Sequence, residues 1–584
     1  MRIFLKSFLA ALLALVVFAT IIFGLLFGWI AALTSTQKSE TGTNAVVYID
    51  LGQTFHEQED ENPLATIGRS NQYNQPGVYD IVRLIAYAKR DSSVKGIYLR
   101  CNDNPNGFAT SEEIRNALLD FRQFGKFVVA YGDIISQKGY YVGSVADRIY
   151  CNPKGGVDWV GFASRLPYLK TALQKWAIEP QIFYAGKFKS ATEPLREDKM
   201  TDANRIQTSE LLNGLYNDFM WKAASSRNLD TTVLRKCVND HLIRSAHDAL
   251  NYNLVDGLKY DDQVRNEISK MLKTGSQAKI NFISISRYAT SVDYKQSGKD
   301  KIAVIYAEGD IVGGEGDQQQ IGDESYRKMI RAARLDDDVK AVVFRINSGG
   351  GSSLASENLW RELTITREQK PVVISFGDVA ASGAYYLSCN ADSIFAQPTT
   401  ITGSIGVFSI LPNLQSFFKE KLGVSFDGVK TAPDADALTI TKPLTDLQRK
   451  YFQSEVDSIY TTFKSRVAHG RRKSMDYIDS IAQGRVWSGR RALDLGLIDR
   501  LGSLQDAIAC AARMAKTNNY RLREYPETKN IIDQFLSTYK RSIHTKTMQE
   551  ELGEEGMKTY RTLQRLKSMV GTVQARDPVD LEID

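Results

Sequence analysis

Ile85–Arg100, IAYAKRDSSVKGIYLR, returns 245 residues later as Ile330–Arg345, IRAARLDDDVKAVVFR. The offset persists without a gap to about Leu169. Tyr131-Gly132-Asp133 meets Phe376-Gly377-Asp378, Ala146-Asp147 meets Ala391-Asp392, Pro153 meets Pro398, Gly161 meets Gly406 and Leu166-Pro167 meets Leu411-Pro412. A match of that length at one fixed spacing is the signature of a duplicated unit. Each copy opens on an apolar run, AVVYIDL from Ala45 and IAVIYAEGDI from Ile302, and then alternates amphipathic helices with strands: GIYLR and FVVAYGD, then AVVFRI and VVISFGD. Strands alternating with helices imply an α/β fold with crossover connections. Strands apolar along their whole length fit sheets buried on both faces.

Working outward, the first copy is expected over 44–290 and the second over 300–514. The stretch from Thr274 to Lys299, with several Ser, Gln and Lys residues, forms the joint between them. Residues 515–584 follow the repeat, and 549–569 read as a charged helix with Glu ahead of Lys and Arg, so a helical tail is expected there. At the other end, Ser7–Gln37 holds no charged residue and is rich in Leu, Ala, Val, Phe and Ile. A helix needs about 20 such residues to cross a bilayer, whereas the apolar core of a cleaved signal peptide is about 7–15. Residues 1–40 therefore read as a transmembrane signal anchor. Arg2 and Lys6 precede the span, which keeps the N-terminus in the cytoplasm and the rest of the chain outside it.

Composition excludes some classes of function. The 584 residues are 43% hydrophobic and 24% charged, with a net charge of +6, and no strong basic block points to nucleic acid. Five cysteines (Cys101, Cys151, Cys237, Cys389 and Cys510) include no CxxC pair, so they read as small buried residues rather than a disulfide framework or metal site. The five histidines are scattered without a motif, which weakens any Ser–His–Asp arrangement.

Three segments of the second copy carry potential chemistry. Arg345–Ser352, RINSGGGS, follows a strand directly, and its glycine run lets backbone N–H groups face a substrate oxygen, although a plain glycine turn is the simpler reading. Gly377–Tyr386, GDVAASGAYY, places Ser382 on a strand-to-helix turn, where a serine exposes its Oγ or merely caps the helix. Thr402–Val407, TGSIGV, reads as a closing turn or as groove backbone. The first copy alters these positions: Gln137 stands opposite Ser382, Lys138 opposite Gly383, and Asn104-Pro105-Asn106-Gly107 replaces the glycine run. It offers instead Tyr184–Pro194, YAGKFKSATEP, where the second copy has Gly428-Val429-Lys430-Thr431. Each copy holds half of a site.

These motifs together resemble signal peptide peptidase A in its long, tandem-repeat form, a family of Ser–Lys dyad proteases, over about residues 44–510. The resemblance implies two Clp protease/crotonase-like repeats after a single N-terminal transmembrane helix. It implies Ser382 as nucleophile, Lys189 as general base, and Gly350, Gly351 and Gly383 as oxyanion and substrate-binding residues. Ser190 is a further candidate, orienting the lysine. The family's usual S-P-G-G reads Ser348-Gly349-Gly350-Gly351 here, which leaves the loop more flexible without proline. The expected substrates are signal peptides left in the membrane and other unfolded apolar segments. The expected assembly is a homotetramer in the bacterial inner membrane with its catalytic part in the periplasm, needing neither metal nor organic cofactor.

The chemistry is consistent with this assignment. A free lysine titrates near about 10.4 and is a poor base at neutral pH. Burial disfavours its charged form and can free it to take the Ser382 proton. Two rivals remain. An acyl-CoA enzyme of crotonase type fits the glycine loop but not the extracytoplasmic placement. A non-catalytic membrane scaffold would be expected to have lost the serine, as the first copy has.

Overall fold

Two separate sheets, one per copy, organise the chain, the first parallel throughout and the second parallel except where Val486–Ser488 meets Ile401–Gly403 antiparallel. The computed structural model describes residues 2–34, 40–59, 74–275, 279–317, 319–527 and 572–576. In the first sheet the strands lie in the order Gly257–Leu258, Arg148–Val157, Phe127–Ile135, Val94–Arg100, Ala45–Asp50 and Phe282–Ser284, every neighbouring pair parallel. In the second the order is Val486–Ser488, Ile401–Gly403, Val372–Ala381, Val339–Ser348, Asp300–Glu308 and Tyr520–Tyr525. Ser393–Ala396 and Arg500–Leu501 extend it beside Val372–Ala381. Val342, Val343, Phe344, Val373 and Ile374 are fully buried, as strands covered on both faces require.

The duplication is visible element by element. Val78–Ala88 corresponds to Asp323–Leu335 and Phe108–Arg122 to Ser353–Arg367, with first residues spaced by the sequence offset. Beyond Leu169 the two 26-residue helices Asp202–Arg227 and Asp446–Arg471 continue the correspondence. Each starts on a threonine, Thr201 or Thr445, whose hydroxyl accepts from a backbone N–H in the first turn, and each ends on a left-handed residue, Asn228 or Arg472. The five cysteines are buried as free thiols.

Two features lock the copies together. Glu179–Ala185 of the first copy pairs antiparallel with Val407–Asn413 of the second, in register from Ala185 opposite Val407 to Glu179 opposite Asn413. Arg345, just before the glycine loop, is buried with its Nε 2.7 Å from Glu57 and its Nη1 2.9 Å from Glu113. Ser375 Oγ and the Phe376 carbonyl also accept from that Nη1, each at 3.0 Å. A guanidinium buried with two carboxylates of the other copy holds the copies in one relative position, since separating them would strand charge in an apolar interior.

The two ends of the chain are described only in part. Arg2–Thr34 is one 33-residue helix. Its side chains from Leu25 onward lie outside the described residues, and among the described residues no helix is both long and apolar enough to cross a membrane. Residues 549–569, read as a charged helix, also lie outside them. The described parts of 515–584 include two strands rather than a helical tail. Tyr520–Tyr525 runs parallel to Asp300–Glu308 at the edge of the second sheet. Its Arg521 and Arg523 face solvent while the alternate residues pack inward, a period of two that suits a half-covered strand. Gln574–Arg576 forms a second strand far from the first in sequence.

Candidate active site

Ser382 ends the strand Val372–Ala381 and begins the helix Gly383–Ser388. Its backbone is at φ +56° and ψ −113°, a conformation that non-glycine residues rarely adopt. Hydrogen bonds hold it there: its N–H donates to the Gly403 carbonyl at 2.8 Å, and its carbonyl accepts from Tyr386 N–H at 2.8 Å. Strain kept in place by its surroundings is common at reactive turns. Ser382 is completely buried, and its Oγ donates to the Gly406 carbonyl at 3.3 Å.

The strand pairing between copies carries Lys189 to this turn. Past Ala185 the chain lies over the loop at Gln483-Gly484, where Phe188 N–H donates to the Gln483 carbonyl at 2.7 Å. A Cβ on Gly484, whose φ is +75°, would stand 2.6 Å from Lys189 Cβ, so the lysine can come this close only against glycine. Lys189 is 1% exposed, and its Nζ lies 2.8 Å from Ser382 Oγ. Serine and lysine from different copies therefore meet within one chain.

Nζ also lies 3.0 Å from Ser404 Oγ and 3.2 Å from the Ser404 carbonyl. Ser404, in the segment read as a turn or groove backbone, is the polar group the sequence analysis missed. Its counterpart at the 245-residue offset is Trp159. A hydroxyl in the copy with the serine against an indole in the copy without it was the available signal. Ser190, expected to orient the lysine, instead accepts from Gln207 Nε2 at 2.9 Å. The same nitrogen donates to the Phe188 carbonyl at 3.0 Å, which braces the loop. Glu193 of the same motif is buried and accepts from Thr201 Oγ1 at 2.6 Å and Asn204 Nδ2 at 2.8 Å. Its role is to anchor the loop.

The glycine loop faces the same point. Gly350, at φ +99°, donates its N–H to Ser348 Oγ at 3.1 Å. A Cβ on Gly383 would stand 3.2 Å from Gly351 N, so the amides of Gly351 and Gly383 are neighbours. The loop is anchored below by Arg345. Burial works against the Arg345 charge, but Glu113 and Glu57 outweigh it and raise its affinity for the proton. Burial likewise pushes the Glu57 carboxyl up to about 7, against the pull of Arg345.

In the first copy the corresponding helix starts conventionally. Ser136 caps it from φ −66°, its hydroxyl accepting from Gly139 N–H. Gln137 Oε1 accepts from Val160 N–H at 3.2 Å and Gly161 N–H at 2.9 Å, while its Nε2 donates to the Gly161 carbonyl at 2.9 Å.

Known proteins match this chain in both copies. Peptidase family S49 matches residues 120–275 and again 364–518, one match in each copy. Protease 4 of Salmonella typhi is 34% identical over 530 residues, 88% of this chain and 85% of that one. Protease 4 of Haemophilus influenzae is 34% identical over 451 residues, 75% and 72% of the two chains. The chloroplastic serine protease SPPA of Arabidopsis thaliana is 31% identical over 438 residues, 73% and 64%.

Proposed function

The chain belongs to peptidase family S49 and is a serine peptidase of the tandem-repeat signal peptide peptidase A type, and on that premise we propose that Ser382 is its nucleophile and Lys189 its general base. The observation that carries this reading is the 2.8 Å approach of Lys189 Nζ to Ser382 Oγ in a buried site. A lysine so enclosed loses the hydration that favours its ammonium form, as a base at neutral pH requires. It takes the Ser382 proton as Oγ attacks the peptide carbonyl, then hands that proton to the leaving amine. Ser404 holds Nζ in line. The amides of Gly351 and Gly383 receive the developing oxyanion, and Gly350 shapes the loop that presents them.

The substrates proposed are signal peptides remaining in the membrane and other unfolded apolar segments. Gly350–Ser352 and Val407–Asn413 offer strand edges on either side of one groove, which suits an extended chain bound through its backbone. The N-terminal helix serves as a single-pass anchor in the bacterial inner membrane, with its N-terminus cytoplasmic and the catalytic part periplasmic. In its described part Leu12, Leu13, Leu15, Val16, Phe18 and Ile21 are all exposed, an apolar surface suited to lipid. Each repeat is read as a Clp protease/crotonase-like unit. A homotetramer is favoured by the exposed apolar arm of the second copy, with Leu422, Val424, Phe426 and Val429. The detergent-solubilised full chain should cleave a synthetic signal peptide, and Ser382→Ala should not. Cleavage that persists in the folded variant would remove Ser382 from the mechanism.

A further inference from the structure

The two amides assigned to the oxyanion belong to different elements. Gly351 lies in the loop that runs into the helix Ser353–Arg367, whereas Gly383 opens the helix Gly383–Ser388 after the serine turn. These two helices interlock at two successive turns. A Cβ on Gly383 would stand 2.6 Å from Ser356 Oγ, so they approach this closely only because residue 383 is glycine. One turn on, the Tyr386 hydroxyl donates to Glu357 Oε2. Tyr386 also donates its N–H to the Ser382 carbonyl, which ties its place to that of the strained serine. Glu357 in turn accepts from Arg466 Nη2 at 2.8 Å, and the Arg466 guanidinium lies 3.9 Å over the ring of Trp360, one turn along the Glu357 helix.

The first copy has the same three positions and wires them differently. Glu112 and Tyr141 correspond to Glu357 and Tyr386, and Lys222 stands in its long helix where Arg466 stands in the other. Lys222 Nζ lies 2.5 Å from Glu112 Oε1, 3.0 Å from the Tyr141 hydroxyl and 2.8 Å from Asp218 Oδ2. The Tyr141 hydroxyl donates to Asp218 Oδ2 at 3.5 Å, so the tyrosine and Glu112 are joined through the lysine. In the second copy Thr462 takes the place of Asp218. That removes the competing carboxylate and leaves the tyrosine to bond the glutamate directly. The direct link between the two helices occurs in the copy that has the serine.

We propose that Tyr386 and Glu357 are positioning residues for the peptidase reaction, fixing the amides of Gly351 and Gly383 at the separation the oxyanion requires. The proposal rests on the peptidase reading above. Both side chains act through the backbone they hold rather than on the reacting atoms. A hydroxyl-to-carboxylate bond is short and strong, so it limits how far one helix slides on the other. Without it the helices keep their apolar packing, including Tyr386 against Phe463 with ring centroids 4.7 Å apart. The two amides then drift from the geometry that a tetrahedral oxygen needs. An extended substrate held by strand edges does not depend on that spacing, so the loss falls on kcat rather than KM.

Tyr386→Phe in the full chain tests this, since it removes one hydroxyl and keeps the ring. Cleavage of a fluorescent unfolded casein should lose about 10–100-fold in kcat with KM nearly unchanged. Affinity for a peptide aldehyde, which places a tetrahedral oxygen in the same hole, should fall by a similar factor. Glu357→Gln should give the same pattern. Tyr141→Phe, the matching change in the first copy, should leave kcat and aldehyde affinity at their wild-type values. Wild-type kcat in both Tyr386→Phe and Glu357→Gln overturns the proposal and leaves the peptidase reading standing. An equal loss in Tyr141→Phe also overturns it, because the hydroxyl would then serve the fold in both copies alike. A wild type that neither cleaves casein nor binds the aldehyde takes both away.

Discussion

The Gly161 carbonyl in the first copy and the Gly406 carbonyl in the second occupy equivalent places, and each accepts a hydrogen bond from the residue at the start of the following-strand helix. In the first copy the donor is Gln137 Nε2 at 2.9 Å; in the second it is Ser382 Oγ at 3.3 Å. The glutamine also satisfies two backbone N–H groups, and its helix is capped in the ordinary way by Ser136. The serine sits at a positive φ and shares its hydroxyl with a lysine. One architecture thus supports a closed, satisfied turn in one place and a strained turn with a serine beside a lysine in the other. Function depends on what the turn presents rather than on the fold that holds it.

The comparison breaks most directly at the dyad. Ser382→Ala should lower peptide cleavage by about 10^4–10^6-fold, and Lys189→Ala by a comparable factor if the two act as a unit. Adding Gln137→Ser to Ser382→Ala should restore nothing, because among the described residues the Gln137 side chain bonds the backbone of Val160 and Gly161 rather than a lysine amine. Recovered cleavage in that double variant would show the copies to be interchangeable.

A smaller effect sharpens the same contrast at Trp159 and Ser404. Ser404→Ala removes one of the oxygens that hold Nζ, so kcat should fall about 10–100-fold with KM nearly unchanged. A pH–rate profile displaced from that of wild type would mark this as positioning of the base; a change in KM alone would count against it.

Gln137→Ala reverses the logic. It leaves the Val160 and Gly161 amides without their acceptor and should cost about 1–3 kcal/mol of stability, measured by denaturant unfolding, while cleavage is unchanged. A lost activity with unchanged stability would give the first turn a catalytic part.

The least pronounced effect concerns the ionic cluster between the copies. Burial raises the Glu57 carboxyl from its ordinary 4.5 to about 7, so between those values the folded chain holds a proton that the unfolded chain releases. The stability this provides is fully present below about pH 4.5 and is lost as pH rises through about 7. Glu57→Gln should therefore show a flatter melting temperature between pH 5 and 8 than wild type, by a few degrees. Parallel slopes for the two proteins would remove Glu57 from the titration.

Much of this was legible in the chain itself. The 245-residue offset paired helices that do correspond, and the substitutions at Gln137 and Lys138 located the copy in which the serine turn survives. Ser382 and Lys189 stood out because the motifs around them are distinctive. The tail was legible only in part: the charged stretch 549–569 lies outside the described residues, and 520–525 and 574–576 are strands whose partners lie hundreds of residues away, which no local pattern announced.

The sequence by itself determined the duplication, the alternation of strand and helix, and the residues with chemistry to offer, because periodicity, glycine placement and repeat spacing are local or comparative properties. Only the tertiary structure decided that Lys189 lies beside Ser382 within one chain and that Ser404 rather than Ser190 approaches its amine. Those facts depend on the pairing of Glu179–Ala185 with Val407–Asn413 and on backbone approaches permitted by single glycines. Such long-range pairings are fixed by packing of the whole molecule, and no local pattern encodes them.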